Sequence, residues 1–185
     1  MTTTPEVSIS HVVLHCFDLD AMVDFYTRVM KLHVTDRGVL GGPKFAGARM
    51  VFLSSDPRDH HQLALAEGRS DDTTGNLLHH VSYRHASLSR LRELSDVVEA
   101  EGIGDITSAN HGTHWSIYFR DPDGNQIEAF VDTPFYVHQP MWKSFDLSQS
   151  DEEIMRSTEE LFSDDPSFRP MADWRADFAG EVAPN

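Results

Sequence analysis

Apolar residues in the first third of the chain alternate between short strand-like runs and one helical stripe. Residues 9–14 are apolar and β-branched, which predicts a strand. Asp18 then occupies the position of a helix N-cap, and apolar residues follow at helical spacing: Met22, Phe25, Tyr26 and Val29. Three more strands are predicted at residues 34–40, 49–54 and 62–66, and the breakers between them are Gly41-Gly42-Pro43 and Asp56-Pro57.

The same order of elements is repeated from Leu78 onward. Residues 80–84 predict a strand, and Ser87 predicts the N-cap of a helix that Gly102 ends. The apolar stripe of that helix consists of Leu88, Leu91, Leu94, Val97 and Val98. Three more strands are predicted at residues 103–108, 113–120 and 126–131, with the turn Asp121-Pro122-Asp123-Gly124 between the last two. The repeat predicts an α+β fold of two tandem βαβββ modules, residues 7–67 and 77–132, whose sheets enclose a cleft.

Residues 133–185 follow a different pattern and are predicted to form a C-terminal extension packed on domain 7–132. Residues 133–140 predict an extended arm, and Ser150 with Glu153 predicts the capping box of a helix. The apolar residues of this helix are Ile154, Thr158, Leu161 and Phe162. The rest is proline-rich and acidic, and we expect Trp174 and Phe178 to anchor it. A segment of this size does not fold alone, so the extension either covers the main domain or forms the contact in an expected homo-oligomer.

The composition indicates where in the cell the protein is expected and which classes of partner it is not expected to bind. Hydrophobic residues make up 39% and charged residues 24% of the 185 residues, as in ordinary globular proteins. No apolar run approaches the roughly 20 residues needed to cross a bilayer, and residues 1–10 lack the features of a signal peptide. The single cysteine, Cys16, cannot form an intramolecular disulfide, so we expect a cytoplasmic protein. A net charge of −15 disfavours binding to nucleic acid or to anionic membranes.

The repeat places metal-binding side chains at equivalent positions. His11 and His80 open the first strands of the two modules, and alignment of the fourth strands sets Glu128 against Ala64. Three of four symmetric positions can therefore bind a metal, and the fourth cannot. Two histidines and one carboxylate with open positions opposite form the facial triad of non-haem Fe(II) enzymes. Taken singly, a histidine at a strand start is usually an ordinary polar residue, and an edge position facing water would explain Glu128.

Several motifs resemble the vicinal-oxygen-chelate superfamily, which includes glyoxalases, bleomycin resistance proteins and dioxygenases. They are Ser10-His11-Val12-Val13-Leu14 with Phe25-Tyr26, Leu78-His79-His80-Val81-Ser82-Tyr83, and Tyr118-Phe119-Arg120-Asp121-Pro122-Asp123-Gly124-Asn125-Gln126-Ile127-Glu128. The last two are similar to single-domain type I extradiol catechol dioxygenases. The resemblance covers about residues 8–140 and implies a barrel-like cleft with His11, His80 and Glu128 as metal ligands.

The same resemblance implies catalytic roles for His61, His111 and Tyr118. His61 would serve dioxygen and proton donation, His111 would contact a substrate hydroxyl, and Tyr118 would orient and stabilise the bound oxyanion.

Two of these assignments have competitors. His114 competes with His111, because strand alternation puts His114 on the face of Tyr118. Strict alternation along the strand also favours His60 over His61 unless a bulge intervenes.

The resemblance implies ring cleavage of a catechol-type aromatic diol by O₂ with Fe(II), or with Mn(II), which the same ligands accept. A thiol transferase of the antibiotic-resistance type could use the same ligands but would not need His61 or Tyr118. A glyoxalase-like isomerase usually has a fourth protein ligand, which Ala64 cannot supply. A module that sequesters an aromatic drug without metal would not need three ligands in register. Three aromatic residues of the C-terminal extension could wall the substrate or pin the arm to the core: Phe135, Tyr136 and Trp142.

Overall fold

The structure, a computed structural model, describes residues 9–39, 47–70 and 78–181. The predicted breaker Gly41-Gly42-Pro43, most of the N-terminal segment and the outer bounds predicted at residues 7, 77 and 185 lie outside these ranges. Within them, no helix has both the length and the apolar character of a membrane span. The chain forms two compact units, Met1–Leu77 with Asp121–Asn125, and Leu78–Arg120 with Gln126–Asn185.

The first unit contains one helix and one open four-stranded sheet. Its elements are β1 (Val12–Cys16), α1 (Leu19–Arg28), β2 (His33–Val39), β3 (Arg49–Ser54) and β4 (Leu63–Glu67). The strand order is β1-β4-β3-β2, and β1 runs parallel to β4. Asp18 caps α1 as predicted, since its carboxylate accepts from the Ala21 N–H at 3.0 Å. The buried residues of α1 include Met22, Phe25 and Tyr26, so the predicted stripe faces the core.

The second unit repeats this arrangement. Its elements are β5 (Val81–Arg84), α2 (Leu88–Ala100), β6 (Thr107–Asn110), β7 (His114–Arg120) and β8 (Gln126–Asp132), with strand order β5-β8-β7-β6. Ser87 caps α2 as predicted, and α2 buries Leu88, Leu91, Leu94 and Val98. The prediction of two βαβββ modules is therefore confirmed. Each sheet is open, so neither is by itself a closed barrel.

The strand registers show that Ala64 and Glu128 hold equivalent positions. In the first sheet Ala64 pairs with Val13, which lies two residues after His11. In the second sheet Glu128 pairs with Ser82, which lies two residues after His80. The alignment predicted from the repeat therefore holds at the level of individual residues.

The C-terminal extension belongs to the second unit. It forms β9 (Phe135–Tyr136), α3 (Asp151–Phe162), β10 (Arg169–Pro170) and α4 (Met171–Glu181), and β9 pairs with β10. The Ser150–Glu153 capping box is present. Three residues of α3 at a spacing of four are buried: Ile154, Thr158 and Phe162. Leu161, predicted in that stripe, lies beside it and is 47% exposed.

One predicted strand begins later than expected, and one helix was not predicted. The strand predicted at residues 103–108 begins only at Thr107, because a turn with positive φ at Gly102 and Gly104 occupies the start of that run. The α4 helix was not predicted. Its Trp174 and Phe178 stack on each other at 5.3 Å, but Phe178 is 46% exposed and is not a buried anchor.

Candidate functional site

Polar residues at alternate positions form one face of the second sheet. Cross-strand pairing sets Tyr118 of β7 and Ser82 of β5 directly beside Glu128 of β8. Because successive side chains of a strand point to opposite faces, Ser116 and His114 share the face of Tyr118. Glu128 lies in the middle of this face and is only 4% exposed. A buried carboxylate in an apolar strand requires partners.

Three hydroxyl groups donate hydrogen bonds to the Glu128 carboxylate. Ser116 and Tyr118 donate to Oε1 at 2.7 and 2.6 Å, and Ser82 donates to Oε2. Burial raises the pKa of Glu128, but hydrogen bonds from His114, Ser82, Tyr118 and Ser116 together outweigh burial and hold that pKa well below its usual range. The carboxylate is therefore ionised, as a metal ligand must be.

Three imidazoles also approach this carboxylate. His80 Nε2 lies 3.3 Å from Oε2, while His114 Nε2 and His111 Nε2 lie 3.5 and 3.8 Å from Oε1. The rings of His111 and His114 stack, with centroids 4.4 Å apart. Ligand atoms of His111, His114 and Glu128 lie within 4.8 Å of one another, and in the described part of the chain this is the group that could hold an ion. Imidazole nitrogen with carboxylate oxygen suits a divalent transition metal, so the residues present fit such an ion.

The protonation of His111 follows from its two partners. Its Nδ1 contacts the backbone carbonyl of Met141, which can only accept, so Nδ1 carries a proton. Burial lowers the pKa of His111, which favours the neutral ring with a lone pair on Nε2. That Nε2 lies 3.0 Å from the Tyr118 hydroxyl. Burial, followed by the hydrogen bond to Glu128, raises the pKa of Tyr118, so the phenol keeps its proton.

The C-terminal extension holds the segment that carries His111. Asn110 forms two backbone hydrogen bonds with Lys143, at 2.7 and 3.0 Å. Gln139 Nε2 donates to the His111 carbonyl at 2.8 Å. The Thr158 hydroxyl accepts from Asn110 Nδ2 and from Trp115 Nε1, both at 2.8 Å. The position of His111 therefore depends on residues far away in the sequence.

Gly112 allows the chain to turn directly after His111. Its φ is +77°, in the left-handed region that favours glycine. A Cβ at this position would overlap Cγ1 of Val137, which is fully buried. Both the conformation and the close approach of the arm therefore require glycine.

Trp142 of the extension lies against the phenol and the imidazole of this site. Its ring stacks on Tyr118 at 5.1 Å and meets His111 edge-on at 5.2 Å, while the residue stays 53% exposed. The other two aromatic residues of the arm contact the extension itself, since Phe135 packs on Phe168 and Tyr136 stacks on Trp174. Of the three, Trp142 is the one whose ring contacts site residues.

Two predicted residues lie together in the first unit. His11 directly precedes β1, is exposed, and its ring centroid lies 4.3 Å from that of His61. His61 is half-buried and meets Phe52 at 5.0 Å. His60 is exposed, and His61 is the one whose ring contacts that of His11. Burial, and then the charges of His11 and His60, lower the pKa of His61.

Comparison with known proteins identifies the family. The family model of the Glyoxalase/Bleomycin resistance protein/Dioxygenase superfamily matches residues 8–129. The chain belongs to this superfamily. It is 30% identical over 165 residues to biphenyl-2,3-diol 1,2-dioxygenase 2 of Rhodococcus globerulus, covering 79% of this chain and 80% of that protein. It is 30% identical over 181 residues to biphenyl-2,3-diol 1,2-dioxygenase 3 of the same organism, covering 93% and 82%.

Solved structures share the fold of this chain. A glyoxylase/bleomycin resistance protein/dioxygenase domain from Frankia sp. EAN1pec superposes with a TM-score of 0.58 at 24% identity, covering 70% of this chain and 94% of that one. A fosfomycin resistance protein, FosX, from Listeria monocytogenes gives 0.53 at 19% identity, covering 68% and 94%. At these identities the likeness concerns the fold alone.

Within this superfamily fold, the predicted residues fall into two groups. The second unit brings together His80, His111, Tyr118 and Glu128, and the first unit brings together His11 and His61. His114, the competitor of His111, lies beside it instead of replacing it. Ser82 and Ser116 were missed, although alternation from His80 and from Tyr118 places both on the site face.

Proposed function

We propose that this protein is an Fe(II)-dependent extradiol dioxygenase that cleaves the ring of a catechol-type aromatic with O₂. The observation that supports this most is the position of the Tyr118 hydroxyl, which donates to Glu128 and lies 3.0 Å from the Nε2 of His111, beside His80. The 30% identity to two biphenyl-2,3-diol dioxygenases over most of each chain supports the same activity.

The proposed metal ligands are His11, His80 and Glu128. His80 and Glu128 are neighbours in the second unit. His11 is assigned because it holds in the first module the strand position that His80 holds in the second. Bound iron would supply the electron transfer between the diol and dioxygen, and Mn(II) suits the same donors.

His111 is proposed to take the proton of a substrate hydroxyl. The Tyr118 Oη lies 3.0 Å from the Nε2 of His111 and 2.6 Å from the Oε1 of Glu128. This hydroxyl has only one proton, and it donates that proton to Glu128. A proton taken up on Nε2 would let His111 donate to the tyrosine oxygen while the tyrosine donates to Glu128. The network therefore gains a hydrogen bond when it accepts a proton, which suits a general base.

Tyr118 and His61 complete the proposed set of catalytic residues. Tyr118 keeps its proton and is proposed to turn it from Glu128 toward an oxyanion of the substrate. His61 lies against His11 and is proposed to serve dioxygen and proton donation. In this proposal His111 is the base, Tyr118 donates to the oxyanion, and His61 is the acid.

Anaerobic reconstitution tests the proposal. The metal-free protein is loaded with Fe(II) or Mn(II) under nitrogen and mixed with catechol or with 3- or 4-methylcatechol in oxygenated buffer. We expect O₂ uptake with a yellow ring-fission product. Glu128→Gln treated identically should show neither, because the metal site loses its anionic ligand. Absence of O₂ uptake with every diol, or consumption of a thiol without O₂, would contradict a dioxygenase.

A further inference from the structure

A cavity of about 420 Å³ lies between the site face of the second sheet and α4. Ser82, His114 and Glu128 line it on the side of the proposed metal ligands. Phe130 and Trp174 give it apolar aromatic surface. Phe130 follows Glu128 by two residues on β8 and therefore lies on the same face of the sheet. The cavity is thus continuous with the site described above.

Two arginines line the other part of this cavity. Arg84 Nε and Arg175 Nη2 lie 3.2 and 3.8 Å from the same oxygen, Oδ2 of Asp132. Two guanidinium groups beside one carboxylate leave one net positive charge. Each guanidinium carries five N–H donors in a planar fork, so one carboxylate oxygen leaves donors of both for another anion. This positive charge is confined to the end of the cavity away from Glu128, whose carboxylate balances it at the other end.

The spacing of these groups matches a substituted aromatic diol. Ser82 contacts Glu128, and Arg84 follows Ser82 by two residues on the same strand face. Two residues of a strand span roughly 6.6 Å, which is comparable to the width of a benzene ring with one substituent. A ring whose hydroxyls lie at the Glu128 end could therefore extend a substituent toward Arg84 and Arg175.

We propose that this cavity binds a carboxylate substituent of the diol, held by Arg84 and Arg175 while Phe130 and Trp174 contact the ring. This inference rests on the proposed function, since the diol end requires the Glu128 site. It assigns the substrate class: an aromatic diol that carries an anionic group, instead of a neutral one.

Matched pairs of diols test the inference. The loaded enzyme is assayed with 2,3-dihydroxybenzoate against 3-methylcatechol, and with 3,4-dihydroxybenzoate against 4-methylcatechol. We expect kcat/KM to favour the carboxylate in at least one pair by about tenfold, the size of one charge-assisted contact. Arg84→Gln and Arg175→Gln should each lower that ratio by about threefold, so that the two together account for the preference. Asp132→Asn, which removes the competing carboxylate, should raise it.

A binding measurement gives a readout that does not depend on turnover. Calorimetry with benzoate on the metal-free protein should show weaker binding for Arg175→Gln and tighter binding for Asp132→Asn. Arg156→Gln is the matched control, because Arg156 pairs with Glu160 on α3 and does not line the cavity. Circular dichroism verifies that each variant is folded.

The outcomes separate the two proposals. Cleavage of the methylcatechols with no advantage for either carboxylate would overturn the inference and leave the dioxygenase intact. Equal benzoate binding by the unsubstituted protein and the three variants Arg175→Gln, Asp132→Asn and Arg156→Gln would also overturn the inference. Cleavage of no diol would contradict the dioxygenase, while the benzoate series still decides whether the cavity binds an anion.

Discussion

Tyr118 and Glu128 are paired twice, once by their strands and once by their side chains. They are direct partners across β7 and β8, and the phenol donates to the carboxylate at 2.6 Å. In the first module the equivalent pair is Phe52 and Ala64, which has neither group. The two modules share a register, but only the second carries this acid–phenol pair.

Replacing Tyr118 with Phe should reduce turnover and leave the metal in place. The variant keeps the ring that stacks on Trp142 and removes only the hydroxyl. Loss of one donor to a developing oxyanion should lower kcat by about 10²-fold. Metal analysis after Fe(II) loading should still give close to one ion per chain. Loss of iron together with activity would show that the hydroxyl supports the metal site itself.

Metal content should distinguish the predicted triad from the group formed by His111, His114 and Glu128. We expect His11→Ala and His80→Ala to lose Fe(II), because each removes one of three ligands. His114→Ala should retain it. The comparison uses equilibrium dialysis against a chelator, with circular dichroism as the folding control. If His11→Ala retained Fe(II) and His114→Ala lost it, the metal site would be the group formed by His111, His114 and Glu128 instead of the predicted triad.

Replacing Thr158 with Val should destabilise the second unit. The hydroxyl accepts from Asn110 Nδ2 and Trp115 Nε1, and both side chains are buried. Valine has the same shape but leaves two buried donors unpaired, which should cost about 3 kcal/mol of the free energy of unfolding. Thr158→Ser keeps the hydroxyl and should lose only about 1 kcal/mol. Urea unfolding measures both, and equal losses would contradict the role of the hydroxyl.

Two glycines allow backbone conformation to be separated from packing. Gly112 has φ +77° and no room for a Cβ, whereas Gly124 has φ +81° and no atom within 4 Å of a Cβ. Gly124→Ala should therefore lose about 1 kcal/mol of stability for its conformation alone. Gly112→Ala should lose at least about 2 kcal/mol more, because the new methyl group displaces Val137. Thermal unfolding of both variants tests this prediction. Similar shifts in Tm would show that Val137 can move aside with no loss of stability.

Local patterns in the sequence predict most of the elements. The caps at Asp18, Ser87 and Ser150 and the stripes beside them predict three helices, because capping and periodicity act over one or two turns. The α4 helix was not predicted, because its segment is mostly polar and its large aromatic residues, Trp174 and Phe178, are too few to form a clear apolar stripe. The late start of β6 follows from the turn at Gly102 and Gly104; both glycines are visible in the sequence, but where the strand begins after them depends on its pairing with β7.

In the candidate site, too, some features can be predicted from the sequence and others depend on contacts between distant residues. The repeat predicts the equivalence of His11 with His80 and of Ala64 with Glu128, because equivalent strands keep one register. It leaves His111 and His114 as alternatives. Both lie at Glu128 because the segment after β6 is held by Lys143 and Thr158, partners that are distant in the chain.

The hydrogen bond from His111 to the Met141 carbonyl makes the C-terminal extension part of the candidate site. A backbone carbonyl cannot be removed by changing a side chain, so this proton position withstands most substitutions in the arm. It is lost only if the arm itself moves. Removal of the extension would therefore alter the basicity of this imidazole, although every residue before position 133 stayed the same.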